Sequence, residues 1–206
     1  MDLYLFDFDR TLYHYDSTRR LPAQSRLTGV SEYHLAKSWW AAGFEARAET
    51  GEWPTAAEYL DEFARVTGAR LSLDQWAQAR SAASTPDEGM IRMLARASSL
   101  GTVAVFSNNP SPFLETLPTM AAPVVDIVGD NVVVSFQLGV RKPDPEASRL
   151  ALARFGASPA NAFFVDDNLA NVEGAASIGI DGFHYRGEHD LAALGVAIDA
   201  FAARND

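Results

Sequence analysis

The chain has 206 residues, of which 48% are hydrophobic, and it carries a formal net charge of −10 at pH 7. This length and apolar content predict one folded domain, or a core domain with a modest insertion, and exclude a chain that is disordered throughout. The absence of cysteine excludes disulfides, thiolate nucleophiles and thiolate zinc sites. The negative charge disfavours nucleic acid and membranes as partners. We expect a cytoplasmic protein, because no signal peptide or membrane-spanning run is recognisable.

The first predicted element is a strand over residues 2–8, whose mostly apolar side chains are typical of a strand buried on both faces. Residues from about 17 to 100 then show helical spacing. Three helix starts are predicted there from Thr55 with Glu58, Ser72 with Gln75, and Thr85-Pro86 with Glu88. This insertion is longer than a crossover between parallel strands requires, so we expect a helical cap above the end of the first strand.

The second half of the chain alternates between strand and helix patterns. Apolar runs predict buried strands at 102–107 and 162–166. Further strands are predicted at 124–128, 132–136 and 181–185, and further helices at 111–118, 145–156, 168–178 and 188–204. Alternation of this kind predicts an α/β fold, a Rossmann-like three-layer sandwich with a central, mainly parallel sheet. The predicted domains are a core, residues 1–14 and 101–206, and a helical cap, residues 15–100, of which about 86–100 return to the core.

Four polar clusters lie at or just beyond predicted strand ends. They are Asp7-Phe8-Asp9-Arg10-Thr11, Ser107-Asn108-Asn109, Lys142-Pro143 and Asp166-Asp167. Each cluster alone is typical of a turn or a helix cap. Because the carboxyl ends of parallel strands meet at one edge of a sheet, we expect the clusters to converge there. Carboxylates brought so close together require a hard cation with oxygen ligands, and Mg²⁺ is the predicted cofactor.

A metal at that edge would let each cluster contribute to phosphoryl transfer. Asp7 could remain ionised and act as a nucleophile. Asp9 could protonate the leaving oxygen and later activate water. Lys142 could supply positive charge to the phosphoryl group, and Ser107 with neighbouring backbone N–H groups could donate hydrogen bonds to its oxygens.

These residues resemble the motifs of the haloacid dehalogenase-like hydrolase superfamily. Asp7-Phe8-Asp9-Arg10-Thr11 is similar to its first motif. The segment "VAVFSN", which contains Ser107, is similar to its second. Lys142 in "GVRKPDP" resembles the third motif, and "FFVDDNLANVEGAASIGI" resembles the fourth. The insertion between the first two motifs resembles the first cap type of this superfamily, in its all-helical version.

The resemblance implies a role for each matching residue. Asp7 would become an aspartyl phosphate and also bind metal, and Asp9 would be the acid and base, with its backbone carbonyl on the metal. Asp166 would bind Mg²⁺ directly. The remaining implied roles are phosphate binding by Ser107, Asn108 and Lys142, support of Asp9 by Thr11, and support of the metal loop by Asp167, Asn168 and Asn171.

The second aspartate of the first motif distinguishes subclasses. Dehalogenases of this superfamily lack an aspartate at the Asp9 position, since a halide leaves without a proton, whereas an alkoxide leaving from phosphate needs one. We therefore predict a Mg²⁺-dependent phosphomonoester hydrolase acting on a small phosphorylated metabolite, with a sugar phosphate as the first choice. The alternatives are a phosphomutase, a nucleotide monophosphatase, a receiver-type signalling domain and a non-catalytic phosphate-binding protein.

The cap is expected to select the substrate. The stretch "SWWAAGFEARAETGEW" resembles the cap of bacterial sugar-phosphate phosphatases. The candidate substrate contacts are Tyr13, His14, Trp39, Trp40, Phe44, Arg47 and Glu49. The simpler explanation for the aromatic residues is that they pack in the cap, and for Arg47 and Glu49 that they face solvent. Arg10 and Arg141 are cations near the predicted site, and a monomer and a homodimer are both compatible with the sequence.

Overall fold

The structure is a computed structural model that describes residues 2–205. Its strands are β1 (Leu3–Phe6), β2 (Tyr13–Tyr15), β3 (Ser84–Pro86), β4 (Thr102–Ser107), β5 (Val132–Val134), β6 (Ala162–Asp166) and β7 (Asp181–His184). Five of them form a parallel sheet in the order β5-β4-β1-β6-β7. The predicted mainly parallel sheet is thereby confirmed.

Eleven α-helices are described along these residues. They are α1 (Ser17–Thr28), α2 (Glu32–Leu35), α3 (Phe44–Ala48), α4 (Ala56–Thr67), α5 (Leu73–Ser81), α6 (Glu88–Ser98), α7 (Ser111–Met120), α8 (Ala122–Val128), α9 (Pro145–Phe155), α10 (Leu169–Ala176) and α11 (Leu191–Asn205). A π-helical turn, Ala36–Trp40, continues α2. Short 3₁₀ turns occupy Ser135–Gln137, Pro159–Asn161 and Glu188–Asp190.

The central strand β1 is buried on both faces, as its apolar sequence predicts. Tyr4 and Phe6 point to one face, where they pack with side chains from α6, α7, α8 and α11. Leu3 and Leu5 point to the other face, among side chains of α9 and α10. Successive residues of a strand face opposite ways, so each layer of helices receives alternate side chains of β1. This arrangement is the predicted three-layer sandwich.

The helical insertion begins and ends at the same pair of strands, β2 and β3. β2 and β3 form an antiparallel pair in which His14 lies opposite Thr85, and α1 to α5 lie between them in the chain. The two predicted capping boxes, at Thr55 with Glu58 and at Ser72 with Gln75, are both present. They fix where α4 and α5 begin.

Two local predictions are wrong. Residues 124–128 form part of α8 rather than a strand, because Val124 and Val128, four residues apart, bury the same helix face. The third predicted helix start also fails. Thr85 lies in β3, and Asp87 caps α6 instead by accepting a hydrogen bond from the Met90 N–H at 3.0 Å.

Within residues 2–205, no helix combines the length and apolar character needed to cross a membrane. The cytoplasmic location and the oligomeric state stay predictions.

Candidate active site

The loop after β1 carries the two aspartates of the first polar cluster. The Asp7 N–H still belongs to the sheet, because it donates to the Val165 carbonyl at 2.9 Å. The chain then turns sharply. The Tyr13 N–H donates to the Phe8 carbonyl at 2.9 Å, and Arg10 takes a φ of 60°. This left-handed conformation is strained for a residue other than glycine. Thr11 lies fully buried inside the turn.

Lys142 joins the ends of three strands. Its ammonium donates to the Asp7 carboxylate at 2.8 Å, to Asp166 at 2.7 Å and to the Phe106 carbonyl at 2.8 Å. All three N–H donors of the lysine are used, and its side chain is 2% exposed. Asp7, Lys142 and Asp166 therefore meet as the argument from strand ends predicts.

Asn108 holds the backbone of Lys142 in place. Its side-chain amide donates to the Lys142 carbonyl at 2.9 Å and accepts from the Lys142 N–H at 3.0 Å. The peptide bond that follows, Lys142–Pro143, is cis. The Asn108 side chain thus holds the Lys142 backbone, while the residue also lines the cavity described below. Its contact with phosphate stays a prediction.

Three carboxylates come close enough to share a cation. Asp7, Asp166 and Asp167 each offer an oxygen, and these oxygens lie within 4.8 Å of one another. Asp166 is held by the Asn171 amide, 3.0 Å from both its oxygens, and by the Asn168 N–H at 2.8 Å. An oxygen-only set of carboxylates matches the ligand preference of Mg²⁺. The grouping adds Asp167, which was expected only to support the metal loop, to Asp7 and Asp166. The Asp9 carboxylate is not part of it, which is compatible with the expectation that Asp9 binds metal through its backbone carbonyl.

The charges of this cluster resist one another. Burial, together with the negative charges of Asp166 and Asp9, raises the pKa of Asp7 to about 8 against the opposing effect of Lys142. Burial and the neighbouring Asp166 also raise the pKa of Asp167. A bound divalent cation would favour the ionised forms, so these residues fit a metal electrostatically as well as geometrically.

Asp9 is held from the cap. The Arg80 Nη2 atom, near the end of α5, lies 2.6 and 2.5 Å from the two Asp9 oxygens. Asn109 donates to the same carboxylate at 3.1 Å and to the Ser107 hydroxyl at 3.0 Å. Sequence reasoning missed Arg80, since no local pattern distinguishes an arginine in the last turn of a helix from one that merely faces solvent.

These groups line a cavity of about 320 Å³ between the core and the cap. Its floor includes Asp7, Ser107 and Lys142. Its cap side, which we call the roof, consists of Tyr15, Arg20, Trp40, Glu45 and Glu49. Of the predicted cap contacts, Trp40 and Glu49 line this cavity.

The other cap candidates lie elsewhere. Trp39 is fully buried and donates its indole N–H to Glu45 at 2.5 Å. Phe44 stacks on Trp39 with ring centroids 5.3 Å apart, and Arg47 covers Phe44 while pairing with Glu52. Packing explains these three residues better than substrate contact.

Two further candidates belong to the catalytic loop's surroundings. Tyr13 is buried and stacks on Phe8, with ring centroids 4.8 Å apart. His14 is exposed and lines a neighbouring cavity of about 470 Å³, which shares Arg10, Tyr15 and Asp167 with the first. Tyr13 is therefore a packing residue and His14 a residue of the rim.

The roof is built around a buried cation. The Arg20 guanidinium lies between the rings of Trp40 and Trp76, 5.5 and 5.3 Å from their centroids, and 3.5 Å from Glu45. Glu49 forms an ion pair with Arg141 of the core. Burial and the nearby Glu45 raise the pKa of Glu49 to about 7 in spite of that pair.

Comparison with known proteins agrees with this architecture. The sequence profile of the family described as haloacid dehalogenase-like hydrolase matches residues 1–179. A phosphatase of Mycobacterium tuberculosis, MT3486, is 28% identical over 209 residues, which cover 95% of each chain.

Solved structures of the same architecture are more distant in sequence. One is the HAD family enzyme BT-2542 of Bacteroides thetaiotaomicron, with a TM-score of 0.77 at 20% identity, covering 94% of this chain and 98% of that one. The same enzyme complexed with magnesium and inorganic phosphate gives 0.75 at 21% identity, covering 91% and 96%. The L-2-haloacid dehalogenase of Xanthobacter autotrophicus gives 0.60 at 22% identity, covering 99% and 88%. Since the family profile spans most of the sequence, the chain belongs to the haloacid dehalogenase-like hydrolases.

Proposed function

We propose that this protein is a Mg²⁺-dependent phosphomonoester hydrolase that works through an aspartyl phosphate on Asp7. One observation carries the proposal: the Lys142 ammonium lies 2.8 Å from Asp7 and 2.7 Å from Asp166, with Asp9 on the same cavity wall. Further support comes from the relative named as a phosphatase and from the neighbouring enzyme complexed with magnesium and phosphate.

The residues divide the reaction between them. An Asp7 oxygen attacks phosphorus while the bond to the leaving oxygen breaks, and Asp9 gives that oxygen a proton. In the second half, Asp9 takes a proton from water as the water oxygen attacks phosphorus, which releases inorganic phosphate and restores Asp7. Mg²⁺ held by Asp7, Asp166 and Asp167 would supply Lewis-acid charge to the phosphoryl oxygens.

Two core residues stabilise the transferring group. Lys142 contributes a fixed positive charge beside the attacking oxygen. The Ser107 hydroxyl accepts a hydrogen bond from Asn109, so its own hydrogen is free to point at a phosphoryl oxygen.

Asp9 favours phosphate esters over haloacids. An alkyl phosphate expels an alkoxide, which needs a proton at once, and Asp9 lies 24% exposed on the cavity wall to give it. This residue is the reason to prefer a phosphatase, although dehalogenases are among the structural neighbours.

The roof supports a small, hydroxyl-rich leaving group, with a sugar phosphate as the first choice. A volume of about 320 Å³ is at the lower end of ligand cavities, which argues against a whole nucleotide. Trp40 offers an aromatic surface, and the Glu45 and Glu49 carboxylates can accept hydrogen bonds from hydroxyls. The same two carboxylates disfavour a leaving group with a second negative charge.

Phosphate release from p-nitrophenyl phosphate and from a panel of phosphorylated metabolites tests the proposal. With Mg²⁺ present, the wild type should release phosphate, and EDTA should stop the release. Asp7→Asn, which keeps the side-chain shape, should abolish it, whereas Asp61→Asn on the exposed side of α4 should not change it. Turnover by Asp7→Asn at a rate near that of the wild type would show that another residue is the nucleophile.

The panel also tests the substrate class. Sugar phosphates should give a higher kcat/KM than nucleotide monophosphates and bisphosphates. Trp40→Ala should raise KM for the best sugar phosphate more than for p-nitrophenyl phosphate, since only the sugar can use the roof. A preference for nucleotides would contradict the argument from cavity volume.

A further inference from the structure

An ion pair joins the cap to the residue that we propose transfers the proton. Arg80 belongs to α5 of the cap, and Asp9 follows β1 in the core, 71 residues earlier in the chain. A single nitrogen of Arg80, Nη2, contacts both Asp9 oxygens at 2.5 and 2.6 Å. The contact is too short to be a water-separated pair at the surface.

The Arg80–Asp9 pair is largely buried, so its formation carries a desolvation cost. The Arg80 side chain is 3% exposed, and its guanidinium lies over the ring of Tyr15 at 4.5 Å and that of Phe113 at 5.6 Å. Within residues 2–205 its Nε atom has no hydrogen-bond partner. The Arg80 guanidinium leaves one donor unused and directs another at Asp9. It is therefore held mainly by the rings of Tyr15 and Phe113 and by the Asp9 carboxylate.

Asn109 completes the arrangement from the core. The Arg80 Nη2 atom lies 3.2 Å from the Asn109 side-chain oxygen. The Asn109 amide nitrogen in turn contacts Asp9 at 3.1 Å and the Ser107 hydroxyl at 3.0 Å. Asp9 is therefore fixed from two sides, by a cap helix and by the segment that follows β4.

We propose that Arg80 is a positioning residue that aims Asp9 at the leaving oxygen and makes proton transfer depend on the cap. Nη2 carries two hydrogens and has three oxygens within reach, two on Asp9 and one on Asn109. One Asp9 oxygen can therefore turn to the substrate, while the other oxygen and Asn109 keep both hydrogens of Nη2. The inference rests on the proposed function, because it assigns Asp9 the proton.

The leaving group provides the test. An alkoxide needs a proton from Asp9 as the ester bond breaks, whereas p-nitrophenolate leaves without one. A residue that positions Asp9 should therefore affect alkyl phosphates more than p-nitrophenyl phosphate. General acid catalysis contributes roughly 10²- to 10⁴-fold. We expect Arg80→Met to lower kcat/KM at least about tenfold more for an alkyl phosphate, such as the best sugar phosphate, than for the aryl ester.

A second readout comes from the order of the steps. Hydrolysis of the aspartyl phosphate needs Asp9 as a base whichever ester formed it. Arg80→Met should therefore slow this step more than the first step with p-nitrophenyl phosphate. Rapid mixing should then show a burst of p-nitrophenol close to one equivalent of enzyme. A loss of packing alone would produce no such burst.

Three further variants make the result decisive. Arg80→Lys keeps a cation but lacks the planar guanidinium that lies over Tyr15 and Phe113, and should give an intermediate ratio between the two substrates. In an Asp9→Asn background, Arg80→Met should change that ratio no further. Arg65→Ala removes an exposed arginine of α4 that pairs with Glu62, and should behave as the wild type.

The outcomes separate this inference from the function on which it rests. Equal losses of kcat/KM on both substrates, with a higher KM and no burst, would mean that Arg80 binds the phosphate, and would refute the inference. If Arg80→Met does not fold, Arg80→Lys is measured instead. A ratio of kcat/KM for the alkyl phosphate to kcat/KM for the aryl ester equal to that of the wild type would then refute the inference. A wild type that hydrolyses neither substrate would instead refute the proposed function.

Discussion

Removing the ammonium of Lys142 should destabilise the metal-free protein strongly and make it depend on Mg²⁺. Lys142→Met keeps most of the side-chain volume and removes only the charge and its three hydrogen bonds. The Asp7 and Asp166 carboxylates then face each other in a buried site without a cation between them. The Phe106 carbonyl also loses its partner.

The structure sets the size of the effect. Lys142 is 2% exposed, Asp7 9% and Asp166 0% at the side chain, so solvent screens this group of charges very little. Breaking a buried ion pair by removing one partner destabilises by about 3–5 kcal/mol. For a chain of this length, 1 kcal/mol corresponds to roughly 2–4 °C in Tm, so we expect a fall of roughly 6–20 °C in EDTA.

Mg²⁺ should reverse part of that fall. At a concentration 100-fold above its Kd, a ligand of the folded state contributes about 2.7 kcal/mol. In the wild type, Lys142 and the metal are attracted by the same carboxylates, so the metal gains less there than in the variant. Mg²⁺ should therefore raise the Tm of both proteins, and that of Lys142→Met by more.

Thermal unfolding followed by circular dichroism measures both quantities, with EDTA or with millimolar MgCl₂ at one pH. Arg96→Met is the matched control, because Arg96 forms an exposed ion pair with Asp199 far from the cavity and should change Tm by a few degrees at most. If Lys142→Met in EDTA melts with the wild type, or if Mg²⁺ shifts the two equally, the lysine does not compensate these carboxylates and the reasoning fails.

Two other substitutions test how the cap is attached to the core. Gly51→Ala would place a Cβ 2.4 Å from the Phe136 carbonyl oxygen at a φ of +83°, whereas Gly29→Ala, at +74°, meets nothing within 4 Å. Both variants share the backbone strain, but only Gly51→Ala adds a steric overlap, which should cost it about 1–3 kcal/mol more in a denaturant titration. Equal losses would exclude the close approach. Since the pKa of Glu49 is raised from 4.5 to about 7, its contribution to stability is present below pH 4.5 and is lost as the pH rises through 7. In denaturant titrations with EDTA, Glu49→Gln should flatten the fall in the free energy of unfolding between about pH 4.5 and 7, by up to about 3 kcal/mol. An unchanged profile would show that Glu49 titrates as in water.

The position of the candidate active site could be predicted from sequence because it depends on strand ends. Three apolar runs gave β1, β4 and β6, and parallel strands place their carboxyl ends along one edge. Asp7 and Asp166 had to meet there, whatever lay between them in the chain. Lys142-Pro143 was expected at the same edge as one of the four polar clusters, although Lys142 lies several residues beyond the end of β5, and the resemblance of its motif supported the same place.

The errors arose where tertiary packing outweighed local preference. The β-branched residues around Val124 and Val128 favour a strand, yet both are buried on one face of α8. In the cap, Trp39 and Trp40 are adjacent in sequence and face different surroundings, since one is fully buried and the other lines the cavity. Composition alone cannot tell which face of such a helix turns inward.

The charges of the cavity explain why an acidic protein can bind phosphate and why a metal is needed. Five carboxylates and four cationic side chains line it: Asp7, Asp9, Glu45, Glu49 and Asp167 against Arg10, Arg20, Arg80 and Lys142. Three of the cations, Arg20, Arg80 and Lys142, are buried and already paired with carboxylates. The protein therefore offers a dianionic phosphate almost no uncompensated positive charge. A divalent cation would reverse the formal sign of the cavity, so phosphate affinity should rise with Mg²⁺ occupancy rather than with any single arginine.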